Sequence, residues 1–106
     1  MTRAEEIQIK AQSAVLKKEL TKAVDIYIQS VINQYNKENG TVFEKVHNCV
    51  AYKDIPTYPH QEFCNKVLLW NATVWESARS IELDVAKGLR PIPIVQELIS
   101  ELPKYE

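Results

Sequence analysis

The chain has 106 residues, 45% of them hydrophobic and 25% charged, with 13 Lys and Arg against 14 Asp and Glu for a formal net charge of -1. That is the length of a single domain with a modest core, in an ordinary globular composition range. The charges are balanced and mixed along the chain, so nothing electrostatic points to nucleic acid or a membrane surface as partner.

No run reaches the roughly 18 apolar residues of a spanning helix. The opening "MTRAEEIQIK" has charges where a secretory signal needs an apolar stretch. Both cysteines are therefore expected to be reduced thiols in a cytosol. The only two glycines, Gly40 and Gly88, leave little room for tight hairpins and favour helices.

From Thr2 to about Lys37 there is no Gly or Pro, and Thr2 with Glu5 suits a capping box at the start of a helix. Leu16, Leu20, Ala23, Tyr27, Val31 and Tyr35 recur at steps of three or four, a helical stripe that Ile28 and Ile32 widen toward a core. Before Leu16 the stripe thins to Ile7, Ala11, Ala14 and Val15. Residues 1–15 are thus expected to be an N-terminal helical extension, and residues 16–106 a single helical domain. The pattern leaves the extension open between a partner-binding arm and a frayed end.

"NKENG" stops this helix, with Gly40 suited to the left-handed position after a helix C-terminus. Thr41 and Glu44 predict a second capping box and a short helix to about Tyr52, with Phe43, Val46 and Val50 inward. Pro56 and Pro59 make "KDIPTYP" a loop. A long helix follows from about His60 to Lys87, with Phe63, Val67, Trp70 or Asn71, Val74, Ala78, Ile81 and Val85 on one face. Gly88 ends it, and "LRPIP" forms an extended turn because residues before proline avoid the helical region. Pro93 then suits the first turn of a last helix bearing Ile94 or Val95, Leu98 and Leu102, ended by Pro103. The expected fold is all-α, a small four-helix domain in the order long, short, long, short. Deep burial is expected at Leu20, Tyr27, Val31, Phe43, Val50, Val67, Val74, Trp75 and Leu98.

The sharpest chemical constellation is His47, Cys49, His60 and Cys64. Two His and two Cys can fill a tetrahedral zinc site. On a helix, however, His47 and Cys49 point about 200° apart, and the C-x2-C spacing of strong zinc motifs is missing. Small buried thiols are the simpler reading, and no metal is expected. His60 with Cys64 is the one local base–thiol pair, with no glycine-rich turn beside it to supply an oxyanion hole. Paired carboxylates such as Glu82 and Asp84 diverge on a helix, and phosphate-binding glycine loops are absent. No catalytic set, no cofactor and no enzymatic activity are expected.

In "WNATVW", Trp70 and Trp75 stand about 140° apart around a helix axis, so both cannot occupy the centre of one stripe. One is expected to fill the core while the other flanks it, each touching a different neighbour. Trp75 is expected in the core. The pattern leaves Trp70 open between core and an interface anchor, where Trp is enriched. Ile7, Ile9, Val15, Ile26 and Ile28 on the first long helix, with Leu68, Leu69 and Trp70 on the second, lie outside or beside the main stripes and exceed what two short helices can cover. Of these, Ile7, Ile28, Leu69 and Trp70 are the candidate protein-binding residues.

The order "YNKENGTVFEKVHNCVAY", a short Pro-containing loop, then "WNATVWESARSIELDVAKGLRPIPIVQELISELP" resembles a group of small proteins encoded near tail and tail-fibre genes of tailed bacteriophages and prophages. The resemblance covers about Tyr27 to Pro103. It rests on the Trp-x-x-x-x-Trp pair, the Gly-Arg-x-Ile-Pro-type turn after Gly88, and the closing Leu-Pro. The chain departs from the pattern at Asn71, where a basic residue is usual, and at Ile94, where Thr is usual. The resemblance implies a tail or tail-fibre accessory protein, chaperone-like, that binds another tail polypeptide in the bacterial host cytoplasm during assembly. The alternative it leaves is a structural virion component retained in the tail or fibre attachment region. Self-association into a homo-oligomer is the rival to a heterologous partner.

Overall fold

The computed structural model describes residues 2–106, and the side-chain surroundings of residues 2–5 and 17–106. Three α-helices and one 3-10 helix follow in the expected order: α1 (Arg3–Asn39), the 3-10 helix (Val46–Ala51), α2 (Gln61–Ala86) and α3 (Val95–Glu101). No strand occurs among the described residues, and the fold is all-α.

The helix ends follow local chemistry. At the start of α1, the Glu5 backbone N–H donates to Thr2 Oγ1 at 3.2 Å and the Thr2 N–H to Glu5 Oε2 at 3.4 Å, the reciprocal capping box. Gly40 ends α1 in the left-handed region, at φ 67°. At the end of α2, Gly88 adopts φ 73°, its N–H donates to the Val85 carbonyl, and the Leu89 N–H donates to the Asp84 carbonyl. Those two bonds are the Schellman pair, and they satisfy carbonyls that a helix end otherwise leaves open.

α1 and α2 lie antiparallel, as aromatic contacts between Tyr35 and Phe63 and between Tyr27 and Trp70 require. Between them Val24, Ile32, Val67, Val74 and Ala78 are fully buried. The stripe on α1 is turned from its expected position. Val24, Ile28 and Ile32 are buried, whereas Tyr27, Val31 and Tyr35 are half-buried beside them. Each tyrosine needs a partner for its hydroxyl, and both find one on the flank of the stripe rather than at its centre.

The second capping box does not form. Thr41 Oγ1 donates instead to Asn36 Oδ1, which also accepts from the Phe43 N–H, while Asn36 Nδ2 donates to the Phe43 carbonyl. Asn36 thereby organises the 41–43 turn and pins Phe43 inward. The 3-10 helix starts later, with Asn48 Oδ1 accepting from the Lys45 N–H at 2.8 Å. Its three-residue period places Val46 and Cys49 on one face. Val50, expected inside on an α-helical period, is turned out and is 52% exposed.

The two tryptophans flank opposite sides of α2. Trp70 faces the C-terminal segment and is buried, while Trp75 is half-buried against the other side. The expected assignment, with Trp75 the deeper, is reversed because the chain end covers Trp70. α3 begins at Val95, so Pro93 precedes its first turn rather than entering it. The molecule measures 60 × 23 × 20 Å with a radius of gyration of 17.0 Å, against about 13 Å for a spherical domain of this length. A 37-residue α1, roughly 55 Å long, sets that shape.

Replacing the fully buried Ile32 by Ala is expected to lower stability by about 2–4 kcal/mol. Val50→Ala is expected to stay within about 0.5 kcal/mol of the unaltered chain. Urea unfolding followed by circular dichroism checks both, and a costly Val50→Ala would contradict the 3-10 register.

Candidate functional site

Three features stand out: an aromatic end of the helix pair holding both cysteines, a C-terminal segment laid into a groove, and an apolar strip left uncovered. All five tyrosines, both phenylalanines, Trp70 and His60 form one connected aromatic cluster. Tyr35 stacks on Phe63 at 3.5 Å between ring centroids, and its hydroxyl lies 2.6 Å from His60 Nδ1. The helical periods of α1 and α2 place an aromatic ring every second turn on the facing flanks, Tyr27 and Tyr35 on α1 and Phe63 and Trp70 on α2, and the turn set by Asn36 adds Phe43.

The structure splits the His and Cys constellation. His47 is exposed, His60 is engaged with Tyr35, and Cys49 and Cys64 are both fully buried as free thiols. The two thiols come together where the 3-10 helix packs on α2. Burial, then the hydrogen bond and charge of Cys64, push the Cys49 thiol up to about 12. Burial also raises Cys64. A nucleophilic or metal-binding cysteine needs the thiolate, so this environment works against both uses. Among the described residues no group of three or more His, Cys, Asp or Glu is placed to share a metal ion.

The four candidate binding residues fare differently. Leu69 is 72% exposed, on the outer face of α2. Trp70 is only 7% exposed, because its indole N–H donates to the Pro103 carbonyl at 2.9 Å and Tyr105 packs on its ring at 5.4 Å. Ile28 is 4% exposed, on the flank of α1 that the 43–46 segment covers. Trp70 and Ile28 therefore belong to the core and not to a free surface. Ile7 lies outside the residues whose side chains the structure describes. Residue Asn71, a departure from the resemblance pattern, has its Oδ1 buried without a hydrogen-bond partner.

Two features escaped the sequence reading. Arg90 and Glu101 form a bidentate pair at 2.9 and 2.7 Å that ties the turn after α2 to the end of α3. The guanidinium hydrogen bonds hold the Glu101 carboxyl below the usual carboxylate range. The other is an apolar groove between α1 and α3, about 270 Å³ in volume, lined by Ala23, Ile26, Tyr27, Ser30, Val95 and Ile99. Ile26 is 62% exposed at its edge, and Ile94 and Val95 continue the apolar surface. No helix among the described residues is long and apolar enough to cross a membrane. No protein-family model, curated protein or solved structure matches the chain.

The thiol environment has a consequence for stability. The native state keeps a proton on Cys49 that the unfolded chain releases near 9.0. Stability is therefore full below that range and falls as pH rises toward about 12. Half-buried Tyr27 and Tyr35, also raised by desolvation first, act in the same direction. A Cys49→Ala variant is expected to show a shallower alkaline decline in its urea midpoint. Thiol reagents at neutral pH should label neither cysteine until urea unfolds the chain. Rapid labelling of the native protein would refute the buried pair.

Proposed function

We propose that the protein is a phage tail or tail-fibre accessory factor, a binding protein and not an enzyme, that holds another tail polypeptide during assembly. The observation that carries the reading is the uncovered apolar groove between α1 and α3, with Ile26 and Val95 exposed along its rim. A chain of this size has enough helix to cover such a strip, yet leaves it open beside a well-filled core. Exposed apolar strips of this kind mark protein contacts more often than they mark accidents of folding. The groove runs along a helix and is lined almost wholly by apolar atoms, which suits an amphipathic helical segment of the partner. The tail identity of that partner is supported by the sequence resemblance over Tyr27 to Pro103.

Co-expression with individual tail and fibre polypeptides, followed by capture, tests the proposal. One of them is expected to be retained, and Ile26→Asp, at an exposed position, is expected to cut retention at least about tenfold without loss of helix content. Sedimentation of the protein alone separates this from self-association. A monodisperse monomer that retains none of the tail polypeptides would refute the proposal.

A further inference from the structure

The segment after α3 is held in an unusual way. Leu102 adopts φ -78° and ψ 148°, polyproline II values, and its side chain is buried. The next carbonyl, that of Pro103, accepts two hydrogen bonds from the body: Trp70 Nε1–H at 2.9 Å and the Tyr27 hydroxyl at 3.1 Å. Tyr105 then stands edge-on to Trp70 and to Phe63, and the Lys66 ammonium lies 5.2 Å from its ring centroid.

We propose that this groove is a recognition site for extended polypeptide of the form Leu-Pro-x-aromatic, and that the chain's own C-terminal segment is a strap which a partner segment of the same chemistry displaces. Aromatic grooves take polyproline II segments in this manner, with an indole N–H on a main-chain carbonyl and rings on either side. No backbone–backbone hydrogen bond holds residues 103–106. Two side-chain donors and ring packing do so, and neither requires that the segment belong to the same chain. The groove is also only part filled. An open volume of about 400 Å³ runs beside Lys104 and Tyr105 along α1, bounded by Tyr27, Val31 and Tyr35. A second segment has room there to seat before the strap leaves. This site adjoins the α1–α3 groove, with Tyr27 and Ser30 common to both, and does not rest on the tail identity of the partner proposed above.

Tethering gives the strap an effective concentration in the millimolar range, so the intact chain should bind a free segment weakly. The probe is a fluorescent synthetic peptide of sequence SELPKYE, read by anisotropy against the full-length chain. A Leu102→Ala, Tyr105→Ala double variant, which loosens the strap and keeps the Trp70, Tyr27 and Phe63 side chains that receive it, is expected to capture the peptide at least about tenfold more tightly than the unaltered chain. Adding Trp70→Phe removes one donor and should weaken capture about tenfold. A double variant that is helical and melts cooperatively, yet captures no more peptide than the unaltered chain, overturns the proposal. Hydrogen exchange on the unaltered chain decides the matter if the double variant does not fold. The Trp70 indole N–H should then be at least about tenfold less protected than the Val67 and Val74 amides, because the strap opens without global unfolding. Equal protection would make the segment a part of the core and overturn the proposal.

Discussion

Two antiparallel helices bury one stripe each and leave a trough along either side of their contact. Every other element of this protein answers to that constraint. On one side, Asn36 turns the chain at 41–43 so that Phe43 and the 3-10 helix cover the flank carrying Ile28, Cys64 and Trp75. On the other, the Schellman end of α2 and the Arg90–Glu101 pair carry α3 back onto α1, and the last residues lie over Trp70. The tryptophan spacing in "WNATVW" is the sequence expression of this geometry. About 140° of rotation sends one indole into each trough.

The fully buried thiols mark the tighter of the two covers. Cys49 and Cys64 are small enough to let the 3-10 helix approach α2 closely, and with no solvent at either sulfur they behave as apolar side chains. The strap side is looser in kind. Its contacts are a doubly bonded carbonyl and a tyrosine edge, with an open groove beside them. One trough is thus anchored by two fully buried thiols, the other by side-chain hydrogen bonds and ring edges on an extended segment.

Much of this was legible in the sequence, because helical periodicity and glycine stops are local. The stripe from Phe63 to Val85, the left-handed role of Gly40, the stop at Gly88 and the Thr2–Glu5 box all depend on residues within a few positions of one another. What failed depended on distant partners. Val24, at the centre of the α1 stripe, was passed over because tyrosines on its flank looked more hydrophobic than their hydroxyls allow. Val50 turned outward because a 3-10 period replaced an α period, and no local residue distinguishes the two. Trp70 and Ile28 looked like surplus surface because their covers come from 33 residues onward and from the 43–46 turn. Ile26 reads as surplus apolar surface from its position beside the stripe and is indeed exposed, but the groove next to it is not legible, because whether α3 leaves a gap over α1 is not written in either helix alone.

The unequal lengths of the two long helices have an energetic consequence. α2 is 26 residues long and α1 is 37, so about 16 Å of α1 runs past the end of its partner. An isolated helix that short would be marginal in water, since nucleation is costly. Here nucleation has already occurred in the packed half, and each further residue adds a backbone hydrogen bond for the dihedrals it fixes. The Thr2–Glu5 box closes the far end, where four N–H groups would otherwise be open. Continuing the helix through the overhang is consequently cheap in backbone terms, with one end nucleated by the packed pair and the other closed by its cap.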